Sequence, residues 1–319
     1  MSRGEKMVKR LKWIDFSKGI GIISIVLGHT YFPYSYLLFL FHVPLFFLIS
    51  GILYKNYPVN SLFFKRVTNL IIPYFILGGV CILVYGFFIN QSLFSMFKDY
   101  SKLFYSGNKV IGVTGAYWFI PVLIVTEVIC SLLLTLNKKF ILFLLCLAYM
   151  LFHWVLFDIN LILNLAILPI TIIFFVLGYY MKRYMVTSSL LFFSTFVCLI
   201  SLILHFMYQL DLEIDLKNRI SSPIILDILT PMSISFIIFK LGQKISTSKS
   251  LVVKTINYIG ANSLIIMLVH NLFINILVYY DVDNWLIQFL VSIFLSTIIS
   301  KPLNLFFIAI KKRNEVFMK

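Results

Sequence analysis

Residues 12–54 read KWIDFSKGIGIISIVLGHTYFPYSYLLFLFHVPLFFLISGILY, and this stretch decides the fold class. It holds two apolar runs, each close to the roughly 20 residues that a bilayer crossing needs, separated by Pro33 and its polar neighbours. Asp15, Lys18, His29, His42 and Ser50 lie inside those runs. Ionisable groups are costly in hydrocarbon, so each marks a face turned towards protein or water. On a helix of about 100° per residue, Lys18 and His29 fall within roughly 20° of each other, and Asp15 within about 40° of His29. The three share a face that cannot look at lipid.

Outward from that stretch, the composition agrees. Of 319 residues, 61% are hydrophobic and 12% charged, against about 25% charged in a soluble domain. An all-α integral membrane protein follows, because helices satisfy their own backbone in lipid. Ten spans are expected, at roughly 14–32, 34–53, 67–89, 117–136, 140–157, 161–181, 188–210, 223–241, 255–280 and 285–310. With the N-terminus cytoplasmic, 19 of the 27 Lys and Arg fall on inner segments and 5 on outer loops. Both termini are therefore expected inside. Acidic residues such as Asp158, Asp211 and Glu213 decorate the outer loops.

The net charge of +15 is thus an orientation signal rather than a nucleic-acid surface, and no nucleic-acid partner is expected. No cleavable leader is expected, since the first apolar run carries Lys18 and His29 and lacks a small-residue cleavage site. The chain reads as one transmembrane domain over residues 1–319, without repeats or an appended soluble domain. Cys81, Cys130, Cys146 and Cys198 sit in apolar runs without metal-ligand spacing; packing residues or free thiols are expected, and no metal. The outer connection 90–116 is partly amphipathic and reads equally as an interfacial helix, a lid or a plain loop.

Several residues can carry chemistry. His29 leads, because it lies in register with Asp15 and Lys18. A membrane histidine can also serve only as an interhelical hydrogen bond, worth about 0.6 kcal/mol, and His42 and His270 are open to both readings. Glu127, near the middle of its span, needs a cationic partner or a histidine to orient. His153 and His205, near span ends, read as structural, and Asp227 as reaching the outer interface. The positive-inside rule explains Lys65, whereas Arg66 at the membrane edge suits phosphate through its planar fork. Pro44 and Pro73 each remove a donor inside an apolar run and should kink the helix there, freeing carbonyls for a cavity. Ser50-Gly51 closes the second run as a cap or a close helix contact.

The sequence also resembles the acyltransferase 3 family. The similarity rests on Asp15, Lys18-Gly19 and the apolar ladder to Gly28-His29, then on FHVPLFFLISG from Phe41 to Gly51. Further matches are FFKRVTNLIIPY (63–74), YWFIPVL (117–123) and IGANSLIIMLVHN (259–271). The resemblance covers nearly the whole chain. Two positions depart from the family pattern: Lys18 stands where Arg is usual, and Asn69 where Arg or Lys is common.

The resemblance implies a membrane-bound O-acyltransferase in the cell (plasma) membrane. It would move an acyl group, acetyl for preference, from cytoplasmic acetyl-CoA or another acyl-CoA to a hydroxyl of a surface glycan or its lipid-linked precursor. His29 and His42 would be catalytic; Glu127 joins them on the cost of its mid-span charge alone, not on the resemblance. Lys18, Arg66, Asp15 and Ser50 would serve the CoA donor, and His270 and Trp118 the acceptor. The competing classes are a transporter or flippase for lipid-linked sugar, and a non-catalytic subunit of a polysaccharide synthase.

Overall fold

A computed structural model describes residues 11–56, 59–156, 159, 161–182, 187–210, 212, 214–220 and 225–317. The basic residues before Leu11 and the acidic loop residues Asp158, Asp211 and Glu213 lie outside the described residues. The chain is helical throughout: α1 (Lys12–Gly28), α2 (Ser35–Phe39), α3 (His42–Leu53), α4 (Val59–Arg66), α5 (Ile72–Phe88), α6 (Leu93–Tyr105), α7 (Phe119–Leu133), α8 (Lys138–Leu151), α9 (Leu168–Met181), α10 (Ser188–Tyr208), α11 (Leu226–Ile245), α12 (Leu251–Ala261), α13 (Ser263–Tyr279) and α14 (Trp285–Phe317). A single antiparallel bridge, Asp215 to Ile220, is the only extended pairing among the described residues.

Eight helices among the described residues are long and apolar enough to cross a membrane, nine if α12 and α13 count as one bent span. The α1 helix, 17 residues and so about 26 Å long, runs among them. This is an all-α, multi-pass membrane protein. Apolar side chains on α8, α10 and α14 face outward, among them Leu142, Phe143, Phe192, Phe206, Phe294 and Ile298. A helix apolar all round belongs in lipid. The buried core is instead built from α1, α3, α7, α9 and α13.

Two glycine crossings bring helix backbones together. A side-chain carbon on Gly260 of α12 would strike the Asp15 carbonyl of α1, and one on Gly19 would strike Ile256. Gly51 of α3 meets the Phe175 carbonyl of α9, and Gly178 meets that of Leu48. Close helix packing is therefore the role of Gly51.

The expected continuous span at 255–280 is corrected: α12 and α13 meet at 89°. Asn262 leaves the helical conformation (φ −109°, ψ 15°), its amide donates to the Tyr258 carbonyl at 2.8 Å, and Asn304 of α14 donates to its oxygen. Hydropathy cannot register such a bend, because the helices on either side are both apolar on average. The two prolines act as expected, from first-turn positions. Pro44 cannot donate to Leu40, and the second span is interrupted at Leu40–Phe41. Pro73 opens α5 after a wide π-turn at Val67–Ile71.

The 90–116 connection contains a true helix. In α6, the Ser92 hydroxyl caps the first turn by accepting from the Ser95 amide. Met96 and Leu103 are buried against α5, and the Tyr74 hydroxyl donates to the Leu103 carbonyl at 2.7 Å.

Candidate active site

The face of α1 singled out by sequence borders two cavities. Lys18 lines a cavity of about 290 Å³ together with Ser50, Lys65, Arg66, Glu127 and Ser263. His29 lines a second, of about 240 Å³, with His42, Trp118, Lys217 and Asn218. Eleven residues of helix separate Lys18 from His29, about 16 Å along the axis. Phe46 of α3, Phe119 of α7 and Met267 of α13 line both cavities. The Phe46 and Phe119 rings meet edge to face, 6.0 Å between centroids. The cavities thus lie back to back across an aromatic and methionine waist.

In the cationic cavity, Arg66 and Glu127 form an ion pair between α4 and α7. The Arg66 Nη2 donates to Glu127 Oε1 at 2.5 Å, and Nε contacts Oε2. Glu127 is buried, whereas the guanidinium keeps about a quarter of its surface exposed. Glu127 therefore joins Arg66 and Lys18 rather than the histidines. The bend at Asn262 turns the first residues of α13, Ser263 and Leu264, towards this cavity. The leading amides of a helix lack internal partners and carry partial positive charge. Asp15, half-buried on α1, is not among the residues lining either cavity.

In the histidine cavity, backbone carbonyls hold the polar groups. His42 Nδ1 lies 2.6 Å from the Leu38 carbonyl. A carbonyl only accepts, so Nδ1 carries the proton, and the neutral ring keeps its lone pair on Nε2. His29 stands just beyond the last turn of α1, its ring 5.2 Å from that of His270. His270 is fully buried behind it and lines neither cavity. Trp118, also buried, contributes to the wall.

Lys217 is the group that sequence reading missed. Its ammonium donates to the Val110 and Gly115 carbonyls, both at 3.0 Å, at the margin of the histidine cavity. Its segment is held down by Asn164, whose amide donates to the Leu216 and Lys217 carbonyls. Asn164 does so from a left-handed conformation (φ 59°), which asparagine tolerates. Asp215 organises the turn by accepting from the Lys217 and Asn218 amides. Burial lowers the Lys217 pKa from its ordinary value, and the Asp215 carboxylate opposes the shift. One signal was available in the sequence: Lys217 follows the acidic run DLEID, in a loop between apolar runs.

The remaining titratable residues lie elsewhere. His205 donates from Nδ1 to the Leu210 carbonyl at 2.9 Å. The expectation that Asp227 reaches an interface is corrected: it is buried, with His153 Nε2 at 2.9 Å and the Tyr149 hydroxyl donating at 2.9 Å. A lone carboxylate would seek water, but two donors from α8 and its π-turn satisfy this one in place.

The sequence model of the acyltransferase 3 family, described as an acyltransferase domain, matches residues 11–304. The chain belongs to the acyltransferase 3 family. This acyltransferase gave no match among curated proteins or solved structures. The matched region begins one residue before α1 and ends within α14, so it takes in both cavities and the waist between them. As a member of the family, the protein is a multi-pass membrane acyltransferase.

Proposed function

We propose that this acyltransferase moves an acetyl group from cytoplasmic acetyl-CoA to a hydroxyl of a surface glycan or its lipid-linked precursor, in the cell membrane. The observation that carries the reading is the pair of abutting cavities, one cationic and one lined by imidazoles. Lys18, Arg66 and the first turn of α13 form a site for the phosphates of CoA. A guanidinium offers five N–H donors in a planar fork, and the Glu127 contacts engage only one edge of it. The amides that open α13 add the field of a helix N-terminus. Ser50 borders this cavity and contributes a hydroxyl there.

From the phosphates, the slim pantetheine arm passes the waist of Phe46, Phe119 and Met267, which excludes water. The thioester then lies beside His29. The neutral His29 imidazole removes the proton from the acceptor hydroxyl as its oxygen attacks the thioester carbonyl carbon. A tetrahedral oxyanion forms, and the Lys217 ammonium stabilises its charge. Collapse breaks the C–S bond, the leaving CoA sulfur takes the proton from His29, and the acetyl ester departs. His42, with Nδ1 tied to Leu38, turns a lone pair to the same cavity and orients the acceptor. Transfer is direct, because Ser50 lies in the donor cavity and not beside an imidazole.

The test is acetyl-CoA turnover by purified protein in liposomes, with host membranes supplying acceptor. His29→Ala and His29→Gln should both lower transfer by about 10²–10⁴-fold, while CoA binding and expression stay near the wild-type level. Glutamine can keep a hydrogen bond but cannot take up a proton at neutral pH. Normal transfer by the Gln variant would remove His29 from the chemistry. Absence of any acetyl-CoA turnover by the wild-type protein would favour a transporter.

A further inference from the structure

His270 is fully buried, and its environment leaves half of the ring unexplained. Nδ1 lies 3.1 Å from the Ile266 carbonyl, so the proton sits on Nδ1. Nε2 then carries a lone pair, and it is buried without a partner among the described residues. Buried polar atoms are nearly always paired, and an exception calls for a reason. The His29 ring is a near neighbour, with centroids 5.2 Å apart and planes inclined by 47°. Two imidazoles joined edge to edge by an N–H···N bond of about 2.9 Å have centroids about 5 Å apart. The observed separation therefore suits an N–H···N bond between the two rings.

We infer that His270 is the positioning residue for His29, accepting its ring N–H at Nε2 so that the lone pair of His29 faces the cavity. The inference rests on the proposed role of His29 as base. The chain of bonds runs from the Ile266 carbonyl through His270 to His29, and each step sets the tautomer of the next. An acceptor behind a catalytic imidazole holds it in one tautomer and steadies the imidazolium that forms on proton uptake. The fold enforces the arrangement: α13 carries both Ile266 and His270, one turn apart, and packs against α1. Met267 on the same turn lines the waist. His270 thus acts through His29 and does not touch substrate.

Selective ¹⁵N labelling of histidine reads the tautomer of His29 directly, and radiolabelled acetyl-CoA with host membranes as acceptor source reads transfer. His29 should appear as one neutral tautomer in the wild type and as a mixture in His270→Phe, which fills the space without offering an acceptor. The Phe variant should lose about 10²-fold in kcat, with KM for acetyl-CoA unchanged. His270→Gln, whose carboxamide oxygen can accept the His29 N–H, should recover at least tenfold over Phe. An unchanged His29 tautomer in His270→Phe would overturn the inference, as would wild-type kcat in that variant. If the Phe variant fails to fold, the Gln variant decides: one His29 tautomer with substantial kcat supports the contact, and a mixture overturns it. Should wild-type protein transfer nothing, the functional reading falls, and the tautomer comparison still decides the contact.

Discussion

The two cavities hold their polar groups in different ways. In the cationic cavity a carboxylate on α7 holds a guanidinium on α4 through an ion pair. In the histidine cavity and just behind it, carbonyls of the main chain do the holding: Leu38 for His42 and Val110 and Gly115 for Lys217 in its wall, Ile266 for the buried His270 behind it. The proposed function accounts for the difference by what each site would have to keep. A phosphate site needs a cation that stays charged, and a buried carboxylate beside it favours the charged form. A proton-transfer site needs neutral imidazole with a defined lone pair. A carbonyl fixes the tautomer, whereas a carboxylate would favour the imidazolium. On the proposed function, binding and chemistry would be separated by the type of partner as well as by about 16 Å of α1.

The contrast is broken most severely at the ion pair. Arg66→Met should leave Glu127 buried and unpaired, costing about 3–5 kcal/mol of stability. The double variant Arg66→Met/Glu127→Met should regain most of that in thermal unfolding and still fail to bind CoA. Recovery of CoA binding by the double variant would show that Arg66 serves the fold alone.

A smaller effect is expected at Lys217. Loss of an oxyanion donor costs about 10²–10³-fold in rate, so Lys217→Met should lower kcat by that factor and leave CoA affinity alone. Lys217→Arg should recover part of it. The charge has a pH signature as well. Because burial lowers the ammonium's pKa, Lys217 loses its proton at a lower pH than an ordinary lysine does. Wild-type transfer should then decline on the alkaline side as the charge is lost, and that decline should be absent from Lys217→Met. A persisting alkaline decline would assign the titration to another group.

The smallest effect sharpens the donor side. Lys18→Arg should bind CoA normally, since a guanidinium meets phosphate at least as well. Lys18→Ala should weaken CoA binding about tenfold or somewhat more, the usual worth of a hydrogen bond to a charged group, with kcat little changed at saturating donor. A fall in kcat with unchanged affinity would move Lys18 from binding to chemistry.

Much of this molecule is legible in a single line of residues. Length of apolar runs, the placement of Lys and Arg, and the register of Lys18 and His29 are local or periodic properties. They suffice for an all-helical membrane bundle with a polar face on α1 that borders the cavities. The prolines at the start of α3 and α5, and the role of Gly51 in close packing, are local as well. What required the tertiary structure is the set of partners across the bundle. Arg66 meets Glu127 over 61 positions of chain, and His29 meets His270 from the far end of the sequence. Lys217 comes from a loop to a cavity whose other walls include α1, α3, α7 and α13. Asp227 finds its donors on α8 and the turn beyond it, and the bend at Asn262 is stabilised by a side chain from α14. Such pairings depend on how whole helices rotate and cross, set by glycine contacts and side-chain packing spread over many residues. Hydropathy and spacing report which residues avoid lipid; only the packed bundle decides which of them face one another.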